Sequence, residues 1–224
     1  MVAFTLISVD DPVAERLIDR WAAPDDHSRA AKRPERGRAS SVLARACLRA
    51  LLHGHAPHGD WTFHADGRGK LFGGSCPGPA GPSVCVSHSR GLVACAFTGS
   101  GIVGIDVEVH RPRAYSAIAE FAFGPGERAR MGRDGADAFY RIWTLREAMA
   151  KATGDGLALA TDGRDRAADG PDEGRWVAHS DGGRWLLAHR RPQPGVSLAI
   201  AVLVPADADH AAEPLQCVAA DTLL

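Results

Sequence analysis

The chain has 224 residues, 45% hydrophobic and 24% charged, a balance that supports a packed core and excludes intrinsic disorder. With 26 Lys and Arg against 27 Asp and Glu, it carries no global field that would draw in nucleic acid or an anionic membrane. Cys47, Cys76, Cys85, Cys95 and Cys217 are scattered without CxxC or metal-like spacing, so reduced thiols in a cytoplasmic protein are expected rather than a disulfide framework.

The first residues, MVAFTLISVDDP, have no basic leader and meet acids within ten positions, which fits neither a signal peptide nor a membrane span. DPVAERLIDRWA carries Val13, Leu17, Ile18 and Trp21 at helical spacing behind an acidic start, and reads as a short amphipathic helix. HSRAAKRPERGR gathers Arg29, Lys32, Arg33, Arg36 and Arg38 into a basic linker, for which a solvated face is the plain account. The periodic ASSVLARACLRALLHG then forms a core helix ending at Gly54.

WTFHA, the tight DGRGK, the Gly/Pro-rich loop GGSCPGPAGP and the apolar SVCVSHS and GLVACAF follow, short β-like runs punctuated by turn residues. They predict an antiparallel sheet packed on the preceding helix. The second half repeats the order: GADAFYRIWTLREAMAKATG is a long helix and TDGRDRAADGPDEG a loop. RWVAHS, RWLLAHR and VSLAIAVLV are strands, the first two joined by the turn DGGR. Before the long helix, GERARMGRDG reads as a flexible Gly-flanked stretch with Arg128, Arg130, Arg133 and Met131. The tail PADADHAAEPLQCVAADTLL has little periodicity, and partial disorder is expected at its end. Two successive helix-then-sheet halves predict an α+β architecture of two similar lobes, residues 1–101 and 102–224, with a ligand cleft between them.

The stretch GIVGIDVEVHRPR poses the chemical question. It seats Asp106 and Glu108 in an apolar run and follows them at once with His110, Arg111 and Arg113. Alternation along a strand puts both carboxylates on one face, with Ile105 and Val107 directed into the core. Paired acids need a neutralising cation, and hard oxygen donors suit Mg²⁺; an edge strand showing acids to solvent is the alternative. In FYRIWTLREAMAKATGDGL, Trp143, Glu147 and Lys151 share a helical stripe. Alone that stripe is equally an ordinary Glu–Lys helix pair beside a core tryptophan. In VSHS, Ser87, His88 and Ser89 at a strand end offer several donors to a phosphate.

Taken in order, VCVSHS, VGIDVE and WTLREAMAK resemble the motifs of the 4′-phosphopantetheinyl transferases of the surfactin-synthetase-activating (Sfp) type. The likeness runs from about Arg29 to Val204 and is strongest between Ser83 and Leu157. It implies two pseudo-symmetric α/β lobes, as the helix–sheet order already suggests. It also implies Mg²⁺-dependent transfer of the phosphopantetheine arm of coenzyme A to a serine of an apo acyl or peptidyl carrier protein of polyketide or nonribosomal peptide synthesis, releasing adenosine 3′,5′-bisphosphate. By the same resemblance Asp106, Glu108 and Glu147 hold the metal, with Asp106 also contacting the coenzyme. Glu147 is the general base, and Lys151 stabilises or protonates the leaving phosphate.

The resemblance further assigns His88 and Ser87 to the nucleotide phosphate, and Lys70 in GRGK and Arg38 to coenzyme A. Arg146 stands where relatives carry Lys, Leu71 where they carry Pro, and Glu127 in FGPGE matches an acid of theirs. By its charge, the basic GERARMGRDG segment reads equally as a docking patch for an acidic carrier protein and as an exposed loop made soluble by its arginines. Two rival readings remain: a Mg²⁺-dependent phosphohydrolase acting on a nucleotide pyrophosphate, and a non-catalytic coenzyme A-binding protein. A single chain that supplies both lobes is expected to be a monomer.

Overall fold

The computed structural model describes residues 1–57, 61–74, 81–166, 177–179, 184–204 and 215–224. In chain order they form strand β1 (Val2–Ser8), helices α1 (Pro12–Trp21) and α2 (Pro24–Ala31), a 3₁₀ turn at Glu35–Gly37 and helix α3 (Arg38–His55). Strands β2 (Phe63–Ala65), β3 (Leu71–Gly73), β4 (Ser83–Ser89), β5 (Leu92–Thr98) and β6 (Ile102–Val109) come next. Helices α4 (Tyr115–Ala122), α5 (Pro125–Thr153) and α6 (Leu157–Ala160) follow, then strands β7 (Val177–His179), β8 (Arg184–Arg190), β9 (Val196–Val204) and β10 (Leu215–Cys217). A last 3₁₀ turn spans Ala220–Leu223. No described helix is long and apolar enough to cross a membrane.

The chain divides into two compact units, Met1–Ser100 with Glu213–Leu224, and Gly101–Ala212. The first carries a sheet in the order β10-β1-β5-β4-β3-β2, antiparallel apart from the parallel pairing of Val2–Phe4 with Leu215–Cys217. Leu43, Cys47, Leu48 and Leu51 of α3 pack on Val84, Val93, Cys95 and Phe97 of the sheet. The apolar spacing of both elements dictates this burial.

The opening segment, read only for the leader it lacks, is a strand inside the sheet. Two expectations for this unit need correction. The basic linker is helical over Pro24–Ala31: Pro at the first helical turn and Asp26, whose carboxylate accepts the Ala23 N–H at 2.9 Å, start a helix there. The end of the tail is ordered and belongs to the first unit, not to a lobe of residues 102–224. Leu223 is buried, and its carbonyl accepts the Trp21 Nε1–H at 2.9 Å. Most of the Gly/Pro-rich loop, the DGGR turn and residues 205–214 of the tail lie outside the described residues.

The second unit is an antiparallel sheet in the order β6-β9-β8-β7, with α5 laid on it. Phe139, Ile142, Leu145 and Met149 meet Trp185, Leu187, Ala199 and Ala201. Helix α5 starts earlier than its hydrophobic period predicts, because GERARMGRDG is its first part and not a flexible stretch. Gly135, at φ 66°, is the one non-helical residue inside it and marks where periodicity begins. Met131 packs against the apolar cluster.

Gly104 sets the approach of helix to sheet. A Cβ built there would stand 1.8 Å from the Ala148 carbonyl oxygen, so only glycine lets α5 lie this close to β6. Alternation places Gly104, Asp106 and Glu108 on this helix-covered face. Ile105 and Val107 are buried as expected, but the acids do not look away from the protein interior. Both rows are substantially buried, and it is the acidic row that lies under α5.

Candidate active site

Helix α5 brings its charged stripe to the acids of β6. Lys151 Nζ donates to Asp106 Oδ1 at 2.6 Å, and the Asp106 side chain is only 6% exposed. Glu147 lies one turn before Lys151. Burial first, then the Asp106 charge, hold the Glu147 carboxyl above the ordinary glutamate range; Lys151 opposes this and Glu108 adds to it. Three carboxylates and one ammonium therefore act on one another across the strand–helix contact.

Among the described residues, no group of three or more His, Cys, Asp or Glu is closed up as around a metal ion. The donor set fits a hard divalent cation by its chemistry. It is all oxygen, it is partly buried, and Asp106 and Glu108 both raise the proton affinity of Glu147, a cost that a bound cation relieves. Two of the chain's own cations lie against these acids: Lys151 on Asp106, and Arg113, whose Nη2 lies 3.1 Å from Glu108 Oε2.

Arg113 is held by a fixed turn. Tyr140 of α5, fully buried, accepts the Arg111 N–H at 2.7 Å and donates to the Arg111 carbonyl at 2.9 Å through one hydroxyl. Its ring stacks on His110 at 3.9 Å between centroids and lies 5.5 Å from the Arg113 guanidinium carbon. His110 Nε2 in turn is 2.9 Å from Ser197 Oγ on β9. The sequence displayed Arg113 beside the acids, but the turn that aims it depends on a tyrosine 29 positions away, a contact no local pattern announces.

Trp143 falls on the stripe as expected, stacked nearly parallel to Phe139 at 6.1 Å and packed against the apolar cluster. Arg146 lies apart from the acids of β6. Fully buried, it pairs with equally buried Glu127 at 2.8 Å and with Asp162 at 2.8 Å, and it donates to the carbonyls of Ala160 and Arg164. Glu127 also accepts the backbone N–H groups of Gly124 and Arg166. Burial raises the Asp162 carboxyl, but hydrogen bonds from Arg166, the Arg164 N–H and Arg146 outweigh it and bring the group to about 2. Arg146 and Glu127 thus lock the start of α5 and the segment after α6 onto the helix carrying Glu147.

The remaining candidates lie in the first unit. Lys70 is buried, its Nζ donating to the Val84 carbonyl at 2.7 Å, and burial lowers its proton affinity. Ser87 is buried and His88 exposed. Alternation on β4 puts them on opposite faces. Arg38 opens α3, exposed, with Nε on the Arg33 carbonyl at 3.1 Å.

The same unit holds a basic cleft of about 240 Å³ lined by Asp26, Arg29, Lys32, Arg33, Ser41 and Arg45. Burial lowers the Arg45 proton affinity; Asp26 raises it, and Arg29, Arg49 and Arg33 lower it further. Arg45, which lines this cleft, was not singled out by sequence reasoning because it lies within the periodic core helix.

Residues 102–201 match the family model of the 4′-phosphopantetheinyl transferase superfamily. Among curated proteins, the chain is similar to 4′-phosphopantetheinyl transferase HetI of Nostoc sp., 34% identical over 124 residues, 52% of each chain. It is 40% identical over 74 residues to 4′-phosphopantetheinyl transferase AcpT of Escherichia coli, covering 31% of this chain and 38% of that one. It is 36% identical over 81 residues to 4′-phosphopantetheinyl transferase Sfp of Bacillus subtilis, covering 34% of this chain and 35% of that one. The matches thus span about half the length of HetI and about a third of Sfp and AcpT.

Proposed function

We propose that the chain is a 4′-phosphopantetheinyl transferase of the Sfp type, moving the phosphopantetheine arm of coenzyme A to a serine of an apo acyl or peptidyl carrier protein of polyketide or nonribosomal peptide synthesis. The observation that carries this reading is the convergence of Asp106, Glu147 and Lys151 where β6 meets α5, within the segment that matches the superfamily. Asp106, Glu108 and Glu147 would hold Mg²⁺. When bound, the ion neutralises charge on both sides of the diphosphate bond that breaks.

The chain's own residues supply the proton traffic. Glu147, whose proton affinity burial and Asp106 raise, takes the proton of the carrier serine as its oxygen bonds to the β-phosphorus. The bond from that phosphorus to the leaving oxygen breaks, and adenosine 3′,5′-bisphosphate departs. Lys151 then turns its Nζ from Asp106 to the departing phosphate and stabilises it.

In the first unit, Arg29, Lys32, Arg33 and Arg45 supply the concentrated positive charge that a polyanion needs. Arg38, Lys70, Ser87 and His88 are proposed contacts of the coenzyme, drawn from the motif match. In the second unit, Arg130 and Arg133 on α5 would face an acidic carrier; Met131 packs inward and is not part of that face. The active form is proposed to be a cytoplasmic monomer.

The test incubates the full chain with coenzyme A, Mg²⁺ and a panel of apo carrier domains, and follows the carrier by intact mass. The expected result is one phosphopantetheine per carrier and one adenosine 3′,5′-bisphosphate released, with no turnover when the carrier is omitted. Coenzyme A cleavage without an acceptor would favour the phosphohydrolase; binding without either product would favour a coenzyme A-binding protein.

A further inference from the structure

The acid cluster meets a second protein cation besides Lys151, and this one has no part in the transfer chemistry described above. Lys151 faces Asp106, and Arg113 faces Glu108. Arg113 does not reach Glu108 by chance of a flexible side chain. Its backbone follows Arg111, whose N–H and carbonyl are both tied to Tyr140, and its guanidinium lies against the Tyr140 ring. The Arg113 side chain is 15% exposed, and its buried Nε has no hydrogen-bond partner among the described residues.

We propose that Arg113, positioned by Tyr140, is a counter-ion that stands in for the metal at Glu108 and makes metal loading depend on the diphosphate-bearing substrate. The inference rests on the metal reading of Asp106, Glu108 and Glu147 given above. A bare divalent ion must displace a guanidinium held at 3.1 Å and leave it buried beside a new positive charge, which is unfavourable. A diphosphate arriving with the ion supplies anionic oxygens to which Arg113 turns, its fork being suited to phosphate. The exchange brings in the ion's two positive charges together with the diphosphate's two negative ones, and Arg113 keeps an anionic partner. Arg113 thus acts as a positioning and ordering residue.

The experiment measures Mn²⁺ binding to the full chain by electron paramagnetic resonance, with and without coenzyme A, in wild type, Arg113→Gln, Arg113→Lys, Tyr140→Phe and Asp106→Asn. Without coenzyme A, Arg113→Gln should bind Mn²⁺ on the order of tenfold more tightly, as removing a nearby positive charge requires at moderate effective dielectric. Coenzyme A should enhance its metal binding less than it does in wild type. Arg113→Lys should keep the wild-type dependence on coenzyme A. Tyr140→Phe, which retains the ring but not the ties to Arg111, should shift in the direction of Arg113→Gln by a smaller factor.

Unchanged or weaker Mn²⁺ affinity in Arg113→Gln without coenzyme A would overturn the proposal, as would a Lys variant that behaves like Gln. An unshifted Tyr140→Phe would remove the positioning role of Tyr140. Loss of Mn²⁺ binding in Asp106→Asn supports the metal reading on which the inference rests. Retention there would overturn that reading itself, separately from the role of Arg113.

Discussion

Lys151 of α5 places its Nζ 2.6 Å from Asp106 Oδ1 on β6, a contact across 45 positions of sequence that joins the two motifs richest in charge. Gly104, two residues before the aspartate, makes the contact possible by letting the helix backbone descend onto the strand. Gly104→Ala should therefore be among the most damaging small substitutions in the chain. Its methyl would need about the space of the Ala148 carbonyl oxygen, so helix and strand must part. The expected cost is about 1–3 kcal/mol or more, with loss of transfer. Denaturant unfolding together with the carrier assay checks both; an active variant of wild-type stability would refute the close approach.

Glu147 illustrates a conflict between stability and function. Its folded-state proton affinity is raised, by burial and then by Asp106. The unfolded chain therefore releases this proton at lower pH than the folded one, and stability falls as pH rises from the ordinary glutamate value, about 4.3, to the raised one. Above that the penalty is fully present. Glu147→Gln removes the ionised group, so its Tm should exceed that of wild type at pH 7. The gain should vanish below about pH 4, and transfer should be lost. Equal Tm values at pH 7 would contradict the electrostatic account.

The Arg146–Glu127 pair makes a different prediction, because both partners are fully buried. Arg146→Met alone strands the Glu127 carboxylate among buried groups and should cost roughly 3–5 kcal/mol. Adding Glu127→Gln to it should recover part of that loss. Chemical denaturation of the single and double variants measures the recovery, and strict additivity would show that the two side chains do not depend on each other.

Asp162, at about 2, stabilises the fold through its depressed folded-state value. The contribution is present above the unfolded carboxylate range, near 3.9, and is lost as pH falls from there through about 2. Asp162→Asn should be less stable than wild type at pH 6, with the difference shrinking between about pH 4 and pH 2. Thermal melts across that interval read it directly; a difference independent of pH would contradict the assignment.

Much of the fold was legible in the sequence where a single element carries its own period. The helices around Val13–Trp21, Val42–Leu52 and Phe139–Met149 follow from apolar spacing, as do the strands bearing Val84–Val86, Ile105–Val107 and Leu198–Val202. What stayed hidden depended on distant partners. Val2–Ser8 was read only for the leader it lacks, and its partners are β5 and, at the far end of the chain, β10. The start of α5 is polar all round, so no period marked it, and its capping contacts, Glu127 to Gly124 and Arg146, are read only from coordinates.

The candidate site was legible to the same degree. Asp106, Glu108, Glu147 and Lys151 stood out by type and spacing. The direction of the acidic row did not: strand alternation says which residues share a face and is silent on which face the helix covers. Arg113 was conspicuous and unexplained until Tyr140 gave it an orientation, and Arg146 proved to belong to a buried ionic tie away from the acids of β6.

The central claim, that Asp106 and Glu147 together serve one Mg²⁺-dependent transfer, meets its most direct test in a comparison of wild type with Asp106→Ala and Glu147→Ala. Each is incubated with coenzyme A, Mg²⁺ and an accepting apo carrier, and circular dichroism verifies the fold. The account predicts carrier modified by wild type and unmodified by either folded variant. Modification by either variant at the wild-type rate would contradict it.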